Sequence, residues 1–150
     1  MGWAPQHRHA ANPSGIQAML ATLQCTHDEP RGTAFRYRSS ATDVTAWLAT
    51  RAAQQSLTDW MQQRLWSRIG MAHDGNVMLD PAGTEVAFAG ASASTRDFAR
   101  IGQMLLQRGK VGDDQVIPAA VVEDLIRGGD QQAFEGTGFP ARAAWSYRSQ

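Results

Sequence analysis

The sequence predicts an α+β fold that is mostly helical, with one small β-hairpin. Apolar residues recur at three- and four-residue spacing in several stretches, each bounded by a capping residue or a glycine. One turn signal, Asp80-Pro81-Ala82-Gly83, separates two short apolar runs. Strand and helix patterns nowhere alternate as they do in a parallel α/β sheet. With 150 residues, a single domain over 1–150 is the starting assumption.

Residues 1–13 read as an irregular N-terminal arm, closed by the Asn12-Pro13-Ser14 turn signal before a short helix from Gly15 to Leu23. Asp28-Glu29-Pro30-Arg31-Gly32 then breaks the chain. Phe35-Arg36-Tyr37 alternates aromatic and polar residues for one or two extended positions. Val44, Trp47, Leu48 and Ala52 form one apolar stripe on a helix from about Asp43 to Ala53, with the Asp43 carboxylate at the positive end of its dipole. Ser56 with Asp59 makes a capping pair, and Leu57, Trp60, Met61, Leu65 and Ile69 continue a helical stripe until Gly70. Val77-Met78-Leu79 and Glu85-Val86-Ala87-Phe88 are the arms of the hairpin. Ser94 and Asp97 cap a helix whose apolar face is Phe98, Ile101 and Leu105 and whose end is Gly109. Pro118 opens the last helix, with Val121, Val122, Leu125 and Ile126 expected to be buried before Gly128-Gly129. Residues 129–150 form a tail in which Trp145-Ser146-Tyr147 reads as the first half of a strand without a partner.

Lys+Arg and Asp+Glu are both 14, so nothing pulls the chain toward nucleic acid or an anionic membrane. Leu, Ile, Val and Phe supply only 26 residues beside five Trp and six Met. A core shared with sequence outside the chain, and hence truncation, is expected from that shortage. The single Cys25 excludes an internal disulfide. No apolar run approaches a membrane span and no secretory signal is present, so a soluble, cytoplasmic chain is the default expectation. Oligomeric state is not legible.

Gly32-Thr33-Ala34-Phe35-Arg36-Tyr37-Arg38-Ser39, a Trp-bearing helix, Leu65-Trp66-Ser67-Arg68-Ile69-Gly70-Met71, a hairpin around Asp80, and Ser94-Thr95-Arg96-Asp97-Phe98-Ala99-Arg100-Ile101-Gly102 follow one another in a telling order. Across Arg31 to Asp124 this order resembles the serine β-lactamase-related (penicillin-recognising) hydrolases, and most of all their esterase and 6-aminohexanoate-dimer hydrolase branch. The resemblance implies the mostly helical part of a β-lactamase/transpeptidase-like fold, truncated at both ends. It also implies acyl transfer through a serine, from a Ser-x-x-Lys helix start, assisted by a tyrosine of a Tyr-x-Asn or Tyr-x-Ser segment. That tyrosine maps onto Tyr37, the proton relay, with Ser39 in the third position. A neutral serine is a weak nucleophile, so a lysine and a tyrosine must ease the removal of its proton.

Lys110 is the only lysine, and Gln107 stands three residues before it. No Ser-x-x-Lys therefore exists in the chain, and Tyr37 alone cannot start the reaction. Gly136-Thr137-Gly138 matches only the last two letters of the family's Lys-Thr-Gly and reads as a loop. The expectation is a fragment of a serine hydrolase for small amide or ester substrates, without cofactor or metal and inactive alone.

Plainer readings stand beside this one. A Tyr-x-Ser triplet recurs at Tyr147-Arg148-Ser149, and by itself such a tyrosine is an ordinary strand residue. Trp47, Trp60 and Trp66 read as core. His7, His9, Cys25 and His27 could offer nitrogens and a thiolate to zinc, but a solvated arm is preferred because a one-residue spacing is atypical of structural zinc. Arg36, Arg38 and Arg51 read as a solvated face, and Ser94 as a cap with no nucleophile elbow around it. The rival to the hydrolase reading is a non-catalytic helical binding module or pseudoenzyme that docks a partner through its Trp faces.

Overall fold

The computed structural model describes residues 15–24, 33–134 and 146–147. The arm, Cys25, His27, the 28–32 break, Gly136-Thr137-Gly138 and Trp145 lie outside the described residues. Among the described residues six α-helices and two short hairpins follow in order: α1 (Ile16–Ala21), α2 (Ser39–Ala53), α3 (Leu57–Arg64), β1 (Asn76–Val77), β2 (Ala91–Ser92), α4 (Thr95–Leu106), β3 (Lys110–Val111), β4 (Asp114–Gln115), α5 (Ala119–Arg127) and α6 (Gln131–Phe134). The α+β class and its helical bias are as expected.

Helix starts that depend on neighbours in sequence form as read. Ser56 Oγ accepts the Asp59 N–H at 3.0 Å and Ser94 Oγ accepts the Asp97 N–H at 3.1 Å, each satisfying an amide that the helix itself leaves unpaired. Two lengths differ from expectation. Helix α2 begins at Ser39, four residues before Asp43, after Arg38 in extended backbone. Helix α3 stops at Arg64 because Leu65 leaves the helical region (φ −128, ψ −66), and a 3-10 turn at Trp66–Arg68 leads to Gly70.

The end of α4 also has a different residue in the left-handed position. Arg108, not Gly109, is the first residue of positive φ (56). Its N–H reaches Leu105 O at 3.0 Å while the Gly109 N–H reaches Met104 O at 2.9 Å, the paired closing bonds of a Schellman end. Gly109 follows at φ 83, and a Cβ there would lie 2.1 Å from Ile117 O. Close approach to the Ile117 backbone, just past the second hairpin, requires the glycine.

The hairpin around Asp80 forms, but with a long bulge. Asn76 pairs with Ser92 and Val77 with Ala91, whereas the inner bridge joins Leu79 to Glu85. One residue, Met78, thus opposes the five residues Val86 to Gly90. Gly83 N–H donates to Asp80 O at 2.9 Å, closing the expected turn. A second hairpin pairs Lys110 with Gln115 and Val111 with Asp114. Its Gly112-Asp113 turn was a legible signal, but its arms are too short and polar to read as strands. Ser146 and Tyr147 belong to no strand among the described residues.

Burial corrects several faces. Among the described residues the buried apolar side chains are Ile16, Met19, Ile69, Val86, Met104 and Val122, joined by Ser39, Asp43, Asp80 and Asp97. On α2 the inner side carries Ser39 and Asp43, while Leu48 is 61 % exposed and Trp47 37 %. Trp47 is therefore not core in this chain, and Trp60 and Trp66 are half-buried. Phe98, Val121, Leu125 and Ile126, all expected inside, are exposed. Periodicity identifies a face that can be buried; it does not identify what covers it. No described helix is long and apolar enough to cross a membrane.

Candidate functional site

Tyr37 ends the extended segment that feeds α2. That segment is tied by the Phe35 N–H, which donates to Ala133 O at 2.7 Å. The Phe35 ring lies 5.3 Å from Phe134 and 4.7 Å from Tyr147, and Tyr147 meets Tyr37 edge to face at 6.0 Å and 85°. Such tilted and edge-on contacts are the favoured geometry of aromatic pairs. Ser146 Oγ accepts the Gly129 N–H at 3.0 Å, fixing the backbone that carries Tyr147. Tyr37 is 48 % exposed within this cluster, and its hydroxyl can both donate and accept a proton. Ser39, two residues on, lies buried in the first turn of α2. The triplet thus presents its tyrosine outward and its serine inward. Tyr147, a chance repeat by sequence, is brought against Tyr37 from 110 residues away. No local signal could have shown it.

A second cluster surrounds Asp97, which has no exposed surface. Its Oδ1 accepts from the Ala72 N–H at 2.8 Å and Arg100 Nη1 at 2.5 Å. Its Oδ2 accepts from Ser94 Oγ at 2.7 Å and lies 3.2 Å from His73 Nδ1. The Ala72 amide, then the Ser94 hydroxyl, hold the Asp97 carboxyl well below the usual carboxylate range. Serine, aspartate and histidine meet here, but the aspartate stands in the middle. A triad needs the histidine between the other two, as base to the serine. Ser94 is a cap, as its sequence context indicated.

The third cluster lies where α1, α2 and the start of α3 meet the hairpin turn. Asp80 Oδ2 accepts the Ile16 N–H at 2.6 Å, and its Oδ1 accepts the Ala82 and Thr84 amides at 2.8 Å each. Gly15 enables the approach: it has φ +104, and a Cβ there would be 3.0 Å from Asp80 Oδ2. Glu85 accepts the Leu57 and Thr58 amides at 2.7 and 2.9 Å, capping α3 from 28 residues away. Asp43 does not cap α2, because α2 starts earlier. Instead its Oδ1 accepts the Ala87 and Phe88 amides at 3.1 and 3.3 Å, anchoring the bulge. Its Oδ2 is buried with no hydrogen-bond partner. Burial pushes the Asp43 carboxyl above its ordinary value, against the two amides that pull it down.

Between these groups opens a cleft of about 740 Å³, walled by Leu20, Asp43, Trp47, Arg51, Leu57 and Leu79 among others. A smaller cavity of about 250 Å³ lies between α3, α4 and the β1–β2 ladder, lined by Met61, Trp66, Val77, Phe98 and Ile101. Among the described residues no group of three or more His, Cys, Asp or Glu could hold a metal ion. His7, His9, Cys25 and His27 are not among them.

Helices grouped around a small bulged hairpin, with the tyrosine segment entering α2, are part of a β-lactamase-like fold, as the solved structures bear out. The chain is similar, with a TM-score of 0.69 and 34 % identity, to a structure from Bacillus anthracis described as a 6-aminohexanoate-dimer hydrolase. The match covers 73 % of this chain and 28 % of that one. It is also 30 % identical over 138 residues to the 6-aminohexanoate-dimer hydrolase of Paenarthrobacter ureafaciens, across 92 % of this chain and 34 % of that protein. No family model matches the chain. Both likenesses are to proteins described as 6-aminohexanoate-dimer hydrolases, and the chain spans about a third of the length of the relatives it matches.

Proposed function

We propose that this chain contributes the tyrosine-bearing helical part of a serine hydrolase that cleaves small amide or ester substrates, with Tyr37 as proton relay and Ser39 in the third position of its motif. The observation that carries the reading is the placement of Tyr37. A half-exposed phenol, steadied edge-on by Tyr147, sits on the segment that leads into α2. A relay must be both held and reachable by the group whose proton it moves, and the likeness to two hydrolases over most of the chain supports that use.

The 150 residues hold no Ser-x-x-Lys, so the chain alone is proposed to be silent. Incubated with a fluorophosphonate probe it takes up no stoichiometric label. Stoichiometric labelling of one serine, lost on its replacement by alanine, refutes that reading. When turnover of a nitrophenyl ester or an aminohexanoate amide is restored by a polypeptide carrying Ser-x-x-Lys, Tyr37→Phe should lower kcat about a hundredfold or more. Unchanged kcat in that variant removes Tyr37 from the mechanism.

A further inference from the structure

Between Ala72 and Asn76 the backbone is held on both sides and open in the middle. The Ala72 N–H donates to Asp97 Oδ1 at 2.8 Å, His73 O accepts Trp66 Nε1 at 3.0 Å, and Asn76 pairs with Ser92 in the first ladder. Asp74 and Gly75 lie between these anchors, exposed and outside any helix or strand. Among the described residues neither the Asp74 carboxyl nor the Gly75 N–H has a hydrogen-bond partner, so both are left to water. The pair is also singular in the sequence. Nowhere else in the 150 residues does glycine follow aspartate, and neither Asn12 nor Asn76 precedes a glycine. Packing requires this glycine, because a Cβ at Gly75 would lie 2.9 Å from the Trp66 ring. The residue that lets Trp66 close against the bend therefore also leaves the amide after Asp74 without a side chain to shield it.

We propose that Asp74-Gly75 is a modification site at which the main chain isomerises to a β-linked isoaspartate, and that the carboxylate so freed is a substrate for an S-adenosylmethionine-dependent protein carboxyl methyltransferase. The Gly75 nitrogen attacks Asp74 Cγ; a C–N bond forms, the C–OH bond of the acid breaks, and the hydroxyl leaves with the amide proton as water. The product is a five-membered succinimide. Water then opens the ring. Addition at Cγ restores aspartate, whereas addition at the main-chain carbonyl carbon leaves the chain running through Cγ and frees the α-carboxyl of Asp74. Overall composition is unchanged and no redox partner is required. In the second reaction the freed carboxylate takes the methyl group from the sulfonium, giving a methyl ester and S-adenosylhomocysteine. Ring closure needs a solvated, unshielded nitrogen beside the carboxyl, and the open bend supplies it. The β-linkage adds one carbon to the main chain between two points held by Trp66, His73 O and the face of Gly75, at the wall of the 250 Å³ cavity that Trp66 and Gly75 help to line. Nothing in this chemistry depends on Tyr37.

The test ages the full chain in warm neutral buffer and reads it in two ways. Isoaspartyl methyltransferase with labelled S-adenosylmethionine reports freed carboxylates in the intact chain, and fragment ions that distinguish β- from α-linked residues locate them in peptides. Methyl incorporation should rise with ageing from an unaged baseline, with β-linkage at Asp74. Asp74→Glu, a change at an exposed position, loses the label, because its longer side chain would have to close a six-membered ring. Asp113 is equally exposed in the turn of the second hairpin but is followed by Asp114, and it stays α-linked. Exposed loops open at a free energy near zero, so the folded chain should isomerise at a rate within about tenfold of that in urea. The proposal is overturned if label does not rise above the unaged sample, if Asp74→Glu keeps it, if Asp113 isomerises as fast as Asp74, or if isomerisation occurs only in urea. β-Linkage at Asp74 without methylation of the intact chain overturns the methyltransferase assignment.

Discussion

Asp97 and Asp43 are buried to nearly the same degree, yet their surroundings drive their carboxyls in opposite directions. Asp97 is met by a backbone amide, a hydroxyl, a guanidinium and an imidazole, which together outweigh the loss of water and lower its pKa. Asp43 is met by two amides on one oxygen and nothing on the other, and desolvation prevails. Exclusion from water raises a carboxyl; the donors that replace water decide whether it stays raised. The Asp97 region is therefore finished within this chain, joining the 71–73 loop to the start of α4. The Asp43 region holds α2 to the hairpin bulge but leaves one buried carboxylate oxygen without a donor.

The comparison can be broken most forcefully at Asp97. Asp97→Ala removes the shared acceptor of Ala72, Ser94, His73 and Arg100 and should lower the thermal unfolding midpoint by about 10 °C or more. A melt like that of the unaltered chain would show that the network contributes little. Acid titration asks the same question without mutation. A carboxyl whose folded pKa is depressed stabilises the fold above its unfolded value, here 3.8, and that contribution is lost as pH falls through the folded pKa. Stability followed by circular dichroism should drop below about pH 4, and Asp97→Ala should flatten the drop.

Asp43 carries the opposite sign. Its folded pKa is raised above 3.8, so its contribution is fully present below that pH and declines as pH rises through the raised value. Asp43→Asn should melt at the same temperature as the unaltered chain or higher at pH 7, with the difference vanishing toward pH 3. A lower midpoint at pH 7 would mean that the Asp43 charge stabilises the fold. The smallest effect is expected at Glu85, which caps α3 near the surface. Glu85→Ala should reduce stability by about 1 kcal/mol in urea unfolding, and a loss several times larger would mark it as a buried hub like Asp97.

Much of the local structure was legible because its causes are local. Ser56 and Ser94 each satisfy an amide three residues on, and Pro81 and Gly83 suit the turn they make. The aromatic neighbourhood of Tyr37 was legible only in part. The extended Phe35-Arg36-Tyr37 segment is there, but its partners Ala133, Phe134 and Tyr147 come from the far end of the chain. Asp43 was misplaced because α2 gains its first turn from Ser39 onward, where Ser and Thr give weak helical signals.

By itself, then, the sequence determined where α3 and α4 start, where the hairpin around Asp80 turns and that the 150 residues hold no Ser-x-x-Lys. These follow from neighbours within a few residues or from composition. Tertiary structure alone decided which faces are buried, that Glu85 joins Ser56 in capping α3, that a five-residue bulge faces Asp43, and that Asp97 gathers four partners while Asp43 Oδ2 has none. Each of these depends on which distant group displaces water from a given atom. Spacing along the chain does not encode that; the folded arrangement does.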